Sequence, residues 1–92
     1  MTLNEYKNEV KDFMTKMNSL NGDNYQKIAW LEEEFELLKN AVNDSNKDRI
    51  KHQLYDMLYL LFEMSVDNDF DMDKEWLAGT KRKQEKYLDK QV

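Results

Sequence analysis

The sequence predicts an all-α fold, a bundle of about four helices completed by dimerisation or higher assembly. Three observations carry this expectation. Proline is absent, glycine occurs twice and charged residues make up 36% of the chain, a composition that favours helix over sheet. Apolar residues recur at steps of three and four along the chain. Finally, 92 residues make one domain at most. A chain of that length buries only about 60–65% of its unfolded surface, so its core is marginal alone and oligomerisation is the natural remedy.

Residues 3–19 carry Val10, Phe13, Met14 and Met17 at helical spacing. "SLNGDN" then breaks the pattern: Asn21-Gly22 signals a turn, and Asp23 or Asn24 can cap a second helix. Residues 25–43 place Ile28, Leu31, Phe35, Leu38 and Val42 on one stripe. In "NDSNKD", Ser45 and Asp48 match a capping box. Residues 46–66 form the most apolar element, with Leu54, Met57, Leu58, Leu61 and Met64 on one stripe and Tyr55, Asp56, Tyr59, Glu63 and Val66 opposite. A helix apolar on most sides must be covered on most sides, which predicts a central position beside a subunit interface. Asp71 can cap a last helix over 72–90, which carries Trp76, Leu77 and Tyr87.

Composition excludes several classes. No cysteine is present, so neither a disulfide framework nor a thiolate zinc site is available, in keeping with a reducing cytoplasm. The start is polar and charged, without a signal-peptide core, and the longest apolar run, "MLYLLF", is far too short to span a membrane. With 19 acidic against 14 basic residues and a net charge of −5, binding to a nucleic-acid polymer is disfavoured. Two Trp, five Tyr and four Phe in a chain 40% apolar argue against disorder.

Two clues point to chemistry. "WLEEEFELLKNA" puts Glu32, Glu33, Glu34 and Glu36 on one predicted helix, where like charges three and four apart repel by roughly 0.2–0.5 kcal/mol per pair. By angle, Glu32, Glu33 and Glu36 share an arc away from Ile28, Phe35 and Val42, and Glu34 falls elsewhere. Such an arc is a solvated acidic face or a set of oxygen ligands for a hard cation. Asp56 is the second clue. It sits in "LYDMLY", hydrophobic almost all round, where burying a carboxylate costs several kcal/mol unless it is paired or ligated. Together they read as a metal held between antiparallel helices. The lone His52 reads as structural. Trp30, Tyr25 and Trp76 read as core or interface aromatics, or as platforms for a base. "DNDFDMDKEWLA" starts like a calcium-binding EF-hand loop, but Met72 stands where glycine is required and Ala78 where glutamate is required.

Residues 25–90 resemble the MazG-like nucleotide pyrophosphohydrolases. The resemblance rests on "LEEEFELLKNA", the sixteen residues Leu37 to His52, "QLYDMLYLLFEM" and then "DFDMDKEWLAGTKRKQEKY". The family motif is E-x-x-E, a spacer, then E-x-x-D. Glu32, Glu33 and Glu36 match the first half and Asp56 the last aspartate. The resemblance implies an all-α MazG-like bundle and Mg²⁺-dependent (or Mn²⁺-dependent) hydrolysis of a nucleoside triphosphate to the monophosphate and pyrophosphate. It implies Glu33, Glu36, Gln53 and Asp56 as metal ligands, with Glu32 and Glu33 in catalysis. It also implies Lys81, Lys83 and Lys86 near the substrate phosphates, although basic residues late in a helix also simply complement its dipole. The sequence departs from the motif at Gln53, where the family has glutamate, and at Tyr55, where it has a small residue. The alternative is therefore a catalytically degenerate module that binds a nucleotide or a protein partner.

Overall fold

The computed structural model describes residues 1–88 and contains four helices. They are α1 (Leu3–Lys16), α2 (Asn24–Asn43), α3 (Lys47–Asp67) and α4 (Met72–Tyr87). Each begins on a side-chain cap of the kind the sequence supplies: Thr2, Asp23, Asn46 and Asp71 accept from the N–H of Glu5, Gln26, Arg49 and Lys74. Thr2 and Glu5 complete a capping box. The cap of α3 is Asn46 rather than Ser45. Ser45 instead takes the left-handed conformation that ends α2, with φ 53°.

Three helices end in the same way. Asn18, Ser45 and Asp69 are left-handed, and the next residue's N–H returns to a carbonyl five positions back: Ser19 to Met14, Asn46 to Ala41, Phe70 to Ser65. These are Schellman motifs built without glycine.

Helix α3 is central. It packs along α2 on one side and α1 on the other, while α4 meets chiefly α1. On α2 the face toward α3 is Lys27, Leu31, Glu34, Leu38 and Ala41, all buried or half-buried. Ile28, Phe35 and Val42, expected on the same stripe as Leu31 and Leu38, are exposed. On α3, Met57 and Met64 are half-buried while Leu54, Leu58 and Leu61 are exposed. The core is small: Val10, Met14, Ala41 and Leu60 are its buried apolar side chains.

The chain is open. Its radius of gyration is 15.8 Å, against about 12 Å for a compact domain of this length. Its accessible surface of 7458 Å² exceeds by about 1,800 Å² what a compact monomer of this mass exposes. Much of the open form is α4, which has no buried residue and is joined to α1 by a polar clasp. Asp73 accepts from the N–H of Leu3 and Asn4 at the start of α1, and the Asn4 side chain accepts from the N–H of Met72 at the start of α4. Each helix thus satisfies orphan donors of the other. No helix among the described residues is long and apolar enough to cross a membrane.

Candidate functional site

The sequence points to Glu33 and Asp56, twenty-three residues apart, and the fold brings both to one cleft. This cleft, about 660 Å³, lies where α1, α2 and α3 meet. Its walls are Phe13, Trp30, Tyr55 and Tyr59, and its carboxylates are Glu33, Glu34, Asp56 and Glu63. Phe13 and Tyr59 meet edge to face with centroids 5.9 Å apart, and Tyr55 leans on Tyr59 at 5.9 Å. Burial, then the nearby Glu63 charge, push the Tyr59 phenol above its ordinary value.

The other expected ligands sit differently. Glu32 and Glu36 are exposed and do not line the cleft, and Glu36 pairs with Lys39 at 2.8 Å on its own helix. Gln53 is buried, and its Nε2 donates to Glu34 Oε2 across the helix pair. Asp56 is exposed, so the burial cost expected from its apolar neighbours in sequence does not arise. Of those neighbours, Leu54, Tyr55 and Leu58 are themselves exposed. Lys81, Lys83 and Lys86 lie on α4, which contributes nothing to the cleft of its own chain.

Sequence reasoning misses three groups. Glu34 escapes because periodicity favours the more apolar stripe of α2 as its inner one. Lys27 and Asp67 escape because charged residues are rarely fully buried. Lys27 is nevertheless 2% exposed, and its Nζ lies 3.3 Å from Glu63 Oε1 and 3.4 Å from Asp67 Oδ2. The same ammonium sits 5.2 Å from the Trp30 ring centre. The N–H of Gly22 donates to Asp67 Oδ1 at 3.2 Å. This knot ties the α1–α2 loop to the end of α3 and holds Glu63 at the mouth of the cleft. The signal that could have found them is spacing: Lys27, Leu31, Glu34, Leu38 and Ala41 form a complete stripe one position off the hydrophobic one.

The cleft offers oxygen donors beside aromatic walls, a combination suited to a hard cation and a planar ring. Among the described residues, no three carboxylate or imidazole side chains stand close enough to hold an ion by themselves. Magnesium is commonly held by one or two carboxylates with substrate phosphates and water, and Glu33 and Asp56 are the two expected carboxylate ligands that line the cleft. The chain matches no family model, and comparison with curated proteins and with solved structures returns no match either.

Proposed function

We propose that the chain is a MazG-like nucleotide pyrophosphohydrolase that works as a homo-oligomer, cleaving a nucleoside triphosphate to monophosphate and pyrophosphate with Mg²⁺. One observation supports this most. Glu33 and Asp56, drawn from the two halves of the E-x-x-E and E-x-x-D pattern, line a single cleft of nucleotide size with aromatic walls. In this reading Glu33 and Asp56 bind the cation, and Trp30, Tyr55 and Tyr59 bracket the base. Glu34 orients the Gln53 amide, and Lys27 keeps Glu63 turned to the cleft mouth. Glu33 also accepts a proton from the attacking water. When bound with the nucleotide, Mg²⁺ supplies neutralisation of the charge developing on the phosphates.

A second reading, a binding module with feeble turnover, is favoured by Gln53. Its amide is already committed to Glu34, and a neutral oxygen is a poorer ligand than the family's carboxylate.

An unbiased nucleotide screen with Mg²⁺, read by pyrophosphate release, tests the first reading. Activity that falls at least 100-fold in both Glu33→Ala and Asp56→Ala is the expected result. Tight nucleotide binding without release selects the module. Neither binding nor release under any nucleotide rejects the hydrolase and leaves only a module that binds a protein partner.

A further inference from the structure

The dense cationic turn of α4 is only lightly paired among the described residues. Lys81, Arg82, Lys83 and Lys86 crowd the second half of α4. Arg82 pairs with Glu75 of the same helix at 2.6 Å, and Lys81, Lys83 and Lys86 have no ion-pair partner among the described residues. Of the cleft carboxylates, Glu63 pairs with Lys27, which it shares with Asp67, and Glu33, Glu34 and Asp56 have no cation of their own among the described residues. The aromatic walls are open as well: Phe13 and Tyr55 keep more than half of their surface in water.

We propose that the α4 arm of a second copy of this chain lies in the cleft of the first, its cationic turn against the cleft carboxylates. Three features choose this occupant. The charges are complementary, acidic and aromatic in the cleft and basic along the arm. Helix α4, sixteen residues long, spans about 24 Å and stands away from its own cleft, because the Asp73 and Asn4 clasp holds its first turn at the start of α1. The surplus surface of about 1,800 Å² per chain exceeds the roughly 800 Å² that each partner buries in a standard interface. Reciprocal exchange of the two arms closes a two-fold dimer in which each cleft is lined by both copies. Lys81, Lys83 and Lys86 then reach in trans a cleft they do not reach in cis. The docking uses the same cleft as the proposed nucleotide site, but its test uses no nucleotide, so the two readings fail separately.

Because the chain has no cysteine, single cysteines report proximity directly. A Lys83→Cys chain mixed with a Tyr55→Cys chain under oxidised glutathione should yield a disulfide-linked heterodimer. The expected rate is at least tenfold above that of Lys83→Cys mixed with Lys39→Cys, whose thiol lies outside the cleft. Adding Lys81→Glu and Lys86→Glu to the Lys83→Cys chain should cut the yield several-fold, with helicity unchanged by circular dichroism. Equal rates for cleft and control pairs overturn the proposal. So does a yield indifferent to charge reversal. A monomeric internal disulfide as the main product of one chain carrying both Lys83→Cys and Tyr55→Cys overturns it too, since the arm then folds onto its own cleft.

Discussion

The α2–α3 pair carries carboxylates at two neighbouring places and treats them in opposite ways. In the Lys27 knot, Glu63 and Asp67 share a buried ammonium that also lies over the Trp30 ring, and Asp67 accepts a backbone N–H. Two turns along α2 and α3, Glu33 and Asp56 face an open cleft with no cation in reach among the described residues. Buried charge is tolerated only with its partner in place, whereas exposed charge is tolerated anywhere. The knot is therefore a structural device, with Glu63 at its boundary with the cleft. The cleft retains free lone pairs and access, and it is where chemistry can be sought.

The largest effect that separates the two regions should come from single-partner deletions. Lys27→Ala or Asp67→Ala leaves an uncompensated buried charge and should cost about 3–5 kcal/mol, enough to unfold much of so small a domain. Asp56→Ala and Glu33→Ala, both at exposed positions, should stay within about 0.5 kcal/mol in the absence of divalent ions. Urea melts of the four variants decide it. Comparable losses in all four would erase the distinction between knot and cleft.

Next comes Gln53. Replacing it by glutamate restores the family's charge but exchanges a hydrogen-bond donor to Glu34 for a second acceptor at a buried position. Without metal, Gln53→Glu should destabilise by about 1–3 kcal/mol. Mg²⁺ should recover much of that loss, as an ion that binds only the folded state does. If Gln53 is what weakens catalysis, pyrophosphate release should rise at least tenfold, equivalent to about 1.4 kcal/mol of barrier. A destabilised variant that ignores Mg²⁺ would place the 53–34 pair outside any metal site.

The two glycines sharpen the contrast at about 1 kcal/mol each, with opposite signs. A Cβ on Gly22 would meet Lys27 Nζ at 3.1 Å and Asp67 Oδ2 at 3.2 Å. Those atoms are locked in the knot, so Gly22→Ala should destabilise by about 1 kcal/mol. A Cβ on Gly79 meets only the flexible end of Arg82, at 3.3 Å. Gly79→Ala should therefore stabilise α4 by up to about 1 kcal/mol. Thermal melts of both variants test the pair, and a shift of the same sign in each would contradict it.

The order and approximate bounds of the helices were legible because breakers and caps are local. Asn21-Gly22, Asp23 and Asp71 did what their side chains allow. Facing was less legible. Periodicity finds the most apolar stripe of α2, and in this chain its members Ile28, Phe35 and Val42 face water while Leu31 and Leu38 are half-buried toward α3. The chain's own packing uses the neighbouring stripe with Lys27 and Glu34, whose cost is offset by partners on α3 that are remote in sequence. Motif spacing points to Glu33, Glu36 and Asp56 together; Glu33 and Asp56 line one cleft, while Glu36 pairs with Lys39 outside it. The contributions of Glu34, Glu63 and Lys27 depended on tertiary pairing that no single segment encodes.

The smallest effect concerns the α1–α4 joint and is one of pH. The carboxyl of Asp71 is held below its ordinary value of 3.8, first by the Asn4 side-chain amide and then by the N–H of Lys74. A depressed folded-state value means that the ionised form is favoured by folding. Its stabilisation is complete above the ordinary value and is lost as pH falls through the depressed one. Acid should therefore loosen the joint between the arm and α1. The two tryptophans report the two regions separately, since Trp76 lies beside Leu3 at the joint and Trp30 beside Lys27. In Trp30→Phe, the emission of Trp76 should change as pH drops below about 4, and adding Asn4→Ala should shift that step upward toward the ordinary carboxyl range. In Trp76→Phe, the emission of Trp30 should hold until the whole chain unfolds. A single coincident transition in both reporters, unmoved by Asn4→Ala, would mean that the arm and the hairpin melt as one unit and that the clasp has no titration of its own.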